Sequence, residues 1–174
     1  MRVAPIDRDA CPPEVREALG ALPDMGLFRL AAHADSVFGP WRAYLSALHT
    51  SLELDPRLRE LAILQVAHEE RCDYERVQHE VIARLEGVDG DHIRSIAAGG
   101  DPANVPAPAG AVLRVTREVT STGTASDEAV ADLVSAVGTR QAVELVLLIG
   151  QYIAIARLLK TFDVPVDEPV VQGG

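Results

Sequence analysis

The stretch "ERCDYERVQHEVIARLEGV", residues 70–88, decides the fold reading, because one helix and the candidate chemistry lie in it together. At about 100° per residue, Val77, Val81, Ile82 and Leu85 form one apolar stripe, the spacing of an α-helix laid against a core. Gly87 is placed to end it. Cys72, Glu75 and His79 fall within roughly 60° of one another, and Ile82 at the stripe's edge lies about 20° from Glu75. The polar trio therefore borders the core-facing side, where shifted pKa values arise. An i,i+4 Glu–His pair is equally the mark of a solvated ion pair worth roughly a few tenths of a kcal/mol, and a lone cysteine that of a small buried hydrophobe. Spacing alone leaves both readings open.

Working outward, Asp55-Pro56 supplies an N-cap and a first-turn proline for "RLRELAILQVAHEE". Glu60 opens the almost wholly apolar run "ELAILQVA", so its carboxylate needs a partner. His79 or the Tyr74 hydroxyl from the next helix would serve. His68 ends the same run, either joining them or standing as a capping or core histidine, and His33 and His49 carry less signal. Helical periodicity continues in "PPEVREAL", "MGLFRLAAHA", "SVFGPWRAYLSALHTS", "DGDHIRSIAAGG", "AVLRVTREVTSTG", "SDEAVADLVSAV" and "TRQAVELVLLIGQYIAIARLLKTF", and no period-2 strand is present. The fold class is all-α, in a single domain over residues 1–174. "GGDPANVPAPAGA" reads as a surface connection between two helical halves. The last helix is apolar on nearly every side, so it is buried in the domain or, in part, against another subunit.

Sixteen basic and 26 acidic side chains give a net charge of −10, which repels phosphate backbones and anionic lipid and excludes nucleic acid and membrane surfaces as partners. The N-terminus has no apolar core of signal-peptide length. Val143 to Ala156 is interrupted by Glu144, Gly150 and Gln151 and is too short to span a bilayer, so the expected location is cytoplasmic. Cys11 and Cys72 are too few for a disulfide framework or a cysteine-only metal site, and a reducing cytosol disfavours a bridge between them.

The pattern of Glu60, Cys72, position 75 and His79, followed by an Ala-containing turn and "GV", resembles the carboxymuconolactone decarboxylase and alkylhydroperoxidase D-like family. "LFRLAAHADSVFGPWRAYLSAL", "RELAILQVA", "DYERVQHEVIARLEGV" and "LLIGQYIAIARLLKTFDVPVDE" resemble its successive blocks, over roughly residues 12 to 167. The resemblance implies an alkylhydroperoxidase D-like helical bundle that assembles as a trimer or a multiple of it. In the family's peroxidase branch a CxxC pair cycles between dithiol and disulfide, with a glutamate and a histidine relaying protons. Here Glu75 stands where the second cysteine would be, so Cys72 cannot close an intramolecular disulfide, and a neighbouring carboxylate makes it a poorer thiolate. "DYE" followed by His79 looks like the decarboxylase-like branch.

The function this implies is a lyase or isomerase working by acid/base chemistry on a carboxylated lactone or related unsaturated acid. His79 is the expected general acid, with Glu75 and Glu60 orienting it. Tyr74, His68 and Arg76 are the expected substrate contacts. No cofactor and no metal is called for; a Glu60/Glu75/His79 site with His68 has ligand types suited to zinc or iron, yet matches no strong spacing motif. Two other classes remain beside it: a thiol antioxidant enzyme using Cys72 with an external resolving thiol, and a non-catalytic ligand-binding oligomer.

Overall fold

The computed structural model describes residues 1–169. The chain runs α1 (Pro13–Gly20), α2 (Gly26–Ala31), α3 (Asp35–Thr50), α4 (Pro56–Glu69), α5 (Asp73–Leu85), α6 (Gly90–Ala97), a 3-10 turn (Pro102–Asn104), α7 (Ala109–Thr122) and α8 (Asp127–Phe162). Among the described residues there is no strand, as the helical periodicity predicts.

α4 has no polar face to give to water, since every residue from Leu58 to Ala67 is buried, including Arg59, Glu60 and Gln65. It can be stable only if wrapped, and α5, α6, α7 and α8 pack around it. Its start is fixed by Pro56 in the first turn and by the Asp55 carboxylate, which accepts from the Arg57 amide at 2.8 Å. Three residues separate α4 from α5, and Arg71 takes a left-handed φ of 52° there, so that the chain reverses sharply and brings Cys72 back onto the α4 end. A smaller apolar cluster of Cys11, Val15, Leu19, Ala32 and Phe38 joins α1 to α2 and α3.

Residues 99–111 link α6 to α7 along a mostly exposed path, as a surface connection should, with Pro102 and Gly110 buried and α7 packed directly on α4. Gly110 is required there: a Cβ would collide with the Val105 carbonyl. The two helices read at the C-terminal end are both present within the 36-residue run α8, parted by a kink at Gly138, whose φ of 83° suits only glycine. That run is long and apolar enough to cross a membrane by length and composition, so the expected shortness of Val143 to Ala156 decides nothing. What α8 does in this fold is to bury Leu145, Leu148, Ile149, Tyr152, Ile155 and Leu159 in the core. Its outer side leaves Val143, Val146 and Leu147 about half exposed, next to Tyr44 of α3.

Candidate active site

Four helices meet around Glu60. Its side chain is fully buried, and both oxygens are occupied: Oε1 accepts from Arg59 Nε at 3.0 Å, and Oε2 lies 2.8 Å from His79 Nδ1. Burial alone would raise the Glu60 pKa, but His79 and then Arg59 outweigh it and hold the carboxyl below its ordinary value. Arg59 is itself locked, donating through Nη1 to the His49 carbonyl and through Nη2 to Glu86, each at 3.0 Å. A buried charge stays bearable only when satisfied in this way. With Nδ1 facing Glu60, His79 has its Nε2 left for chemistry.

Two residues beyond the motif complete the arrangement. His49, in the last turn of α3, has Nε2 2.7 Å from the Tyr152 hydroxyl of α8. The His49 and His79 rings stack at 6.3 Å, and the Tyr152 ring meets His79 edge-on at 5.1 Å. Burial, with the nearby His79 and Arg59, lowers the His49 pKa to about 4, so the imidazole is neutral near pH 7. Burial, then the charges of Glu60 and Glu75, pushes the Tyr152 hydroxyl well above its usual value.

Cys72 is the N-cap residue of α5 and Glu75 lies one turn on. A helix N-terminus usually favours a thiolate. Here burial dominates, with the Glu75 charge adding to it, and the thiol pKa rises to about 11 despite the Glu75 and Tyr74 amides and Lys160. Glu75 is 2% exposed, and neither carboxyl oxygen has a donor in hydrogen-bonding position. Burial, with the Glu70 charge adding, holds it well above the usual carboxylate range against the pull of the Cys72 thiol and Lys160.

The structure thus brings together Glu60 and His79, as expected, and sets Glu75 and Cys72 beside them. It corrects the rest. Glu75 forms no hydrogen bond to His79, whose Nδ1 is taken by Glu60. Tyr74 points to the C-terminal segment, donating to Asp167 Oδ2 at 2.5 Å; the same oxygen accepts from the Gly26 amide, and Gln78 donates to the Asp167 carbonyl. His68 sits at the end of α4 against the Gly99 turn. Arg76 pairs with Asp73 and Glu80 on the outer face of α5. None of these three hydrogen-bonds to Glu60 or His79. Among the described residues no three His, Cys, Asp or Glu side chains are grouped to hold a metal ion, so the Glu60/Glu75/His79/His68 donor set is not assembled.

His49, Arg59 and Tyr152 are the participants that sequence reasoning missed. A hydroxyl in the middle of "LVLLIGQYIAIA" is a signal, since a buried tyrosine seeks a partner. Two cavities lie elsewhere: one of about 310 Å³ between α2, α3 and the end of α8, including Phe38, Trp41 and Phe162, and one of about 630 Å³ beside α7, including Arg114 and Arg117.

The all-α bundle of the described residues has an alkylhydroperoxidase D-like fold. Residues 37–118 match the model of the carboxymuconolactone decarboxylase family, a segment that contains Glu60, Cys72, Glu75 and His79 but stops short of Tyr152. The crystal structure of an alkylhydroperoxidase AhpD core, an uncharacterized peroxidase-related protein from Ralstonia eutropha, aligns with a TM-score of 0.83 over 95% of this chain and 92% of that one, at 19% identity. No curated protein sequence gave a match. The chain is thus similar to the carboxymuconolactone decarboxylase family over residues 37–118, and its fold is alkylhydroperoxidase D-like.

Proposed function

We propose that the protein is a lyase or isomerase of carboxymuconolactone decarboxylase type, which moves protons on a carboxylated lactone or related unsaturated acid. One observation carries this reading: His79 is oriented by a buried carboxylate whose second oxygen is fixed by a buried arginine. A histidine held in one orientation by such a partner is poised to exchange a proton through its other nitrogen. In a decarboxylation the bond from the ring carbon to the substrate carboxylate breaks and carbon dioxide leaves. The electron pair passes into the conjugated carbonyl, and the resulting enolate is protonated at carbon.

The thiol of Cys72 has no part in these steps. Its pKa of about 11 and the lack of a cysteine at position 75 both argue against dithiol peroxidase chemistry. The enzyme works in the cytoplasm as a homo-oligomer, trimeric in the family manner, and the exposed Val143, Val146 and Leu147 support an interface along α8. The test is a panel of unsaturated lactone acids incubated with purified protein, with carbon dioxide release and product isomers followed. Turnover of at least one member is expected. Peroxide reduction with an external thiol, in the absence of any lactone turnover, would place the protein in the antioxidant class instead.

A further inference from the structure

Two carboxyl groups flank the Tyr152 side of this site, and they are treated in opposite ways. Glu60 receives donors on both oxygens, from Arg59 and His79, which is the environment of an ionised, acceptor-only carboxylate. Glu75, 2% exposed, has only the weak Cys72 thiol beside it and no nitrogen or hydroxyl donor on either oxygen. An ion left so bare in the interior would cost several kcal/mol by the order-of-magnitude rule for buried charge, whereas a neutral carboxylic acid carries its own O–H donor.

The groups facing Glu75 do not rescue the ion. From the turn before α5 comes Cys72, a weak thiol donor; from α8 come Tyr152 and Lys160; from the end of α4 comes Glu70. Lys160 is already engaged by Glu70, at 2.7 Å, and Arg157 also binds Glu70. When environments force two carboxyls apart in this way, one serves as acid and the other supports the base.

We propose that Glu75 is the carboxylic acid that delivers the proton to carbon, in the site where ionised Glu60 orients His79. This rests on the acid/base reading above and assigns a donor within it. In the step, the Glu75 O–H bond breaks as a C–H bond forms on the enolate left by carbon dioxide. The negative charge passes from enolate to Glu75, and a proton from solvent restores the acid.

The first test needs no substrate and so stands apart from that reading. Protein labelled with ¹³C at glutamate carboxyls is titrated by NMR, as wild type and as Glu75→Gln. The expected result is one carboxyl that stays protonated through neutral pH in the wild type and is missing from the variant. If every wild-type glutamate is ionised near neutral pH, the proposal fails, whether or not Glu75→Gln folds and even if lactone acids are turned over. The second test uses whichever unsaturated acid the panel identifies. Glu75→Gln should lose on the order of a hundredfold in turnover, together with the limb of the pH–rate profile that reports the acid. Full activity of a folded Glu75→Gln would overturn the assignment.

Discussion

Replacing His49 by glutamine should remove a specific piece of the protein's acid sensitivity. In the folded state the His49 imidazole lies beside Tyr152, His79 and Arg59, and its pKa is lowered from 6.5 to about 4 by burial first, then by His79 and Arg59. The unfolded chain keeps the ordinary value, so between the two pH values it binds more protons than the native state. Stability from this group is therefore complete above about pH 6.5 and is lost as pH falls toward 4. At about 1.4 kcal/mol per pKa unit the whole loss is about 3 kcal/mol, of which about 2 kcal/mol is gone by pH 5. Glu75 acts with the opposite sign: its folded carboxyl holds a proton that the unfolded one releases, so its contribution declines as pH rises above the ordinary glutamate value of 4.5. The wild-type slope is thus a partial cancellation. The difference between wild type and His49→Gln, from urea unfolding at fixed protein concentration across pH 4 to 7, isolates the histidine. Relative to the variant, the wild type should lose about 3 kcal/mol over that range. Parallel curves would refute the buried, neutral imidazole.

Cys72 should react sluggishly with alkylating reagents, because a pKa of about 11 leaves roughly one thiolate in ten thousand at pH 7; a kinetic pKa at or below that of a free thiol would contradict this. Asp167→Ala should lower stability by about 1–3 kcal/mol, since it strips the acceptor from the Tyr74 hydroxyl and the Gly26 amide; an unchanged thermal midpoint counts against the clasp. Leu147→Glu, on the exposed side of α8, should convert an oligomer to monomers in sedimentation, and a wild-type protein already monomeric at micromolar concentration removes the proposed interface.

What could be read in the sequence was whatever follows from periodicity and from the cost of burying charge. α4 is apolar all round, so it had to be central, and Glu60 within it had to find a partner; His79 is that partner. A helical wheel fails where side chains of the same face go different ways. Glu75 and His79 share a face of α5, yet the imidazole turns across to α4 while the carboxyl stays beside Cys72. Tyr74, one residue from Glu75, is rotated by about 100° and meets the C-terminal segment, with Gln78 one turn further along the same face. His49 and Tyr152 could not be placed at all from local pattern. Their contact with His79 depends on how α3 and α8 cross, and that is set by the packing of the whole bundle.

The most direct test of the acid/base centre is to compare the turnover of His79→Ala and Cys72→Ser side by side on an unsaturated lactone acid that the wild type converts, with both variants shown to be folded. The account predicts that His79→Ala loses on the order of a hundredfold or more and that Cys72→Ser keeps most of its activity. A fully active His79→Ala, or a Cys72→Ser that is inactive, would contradict it.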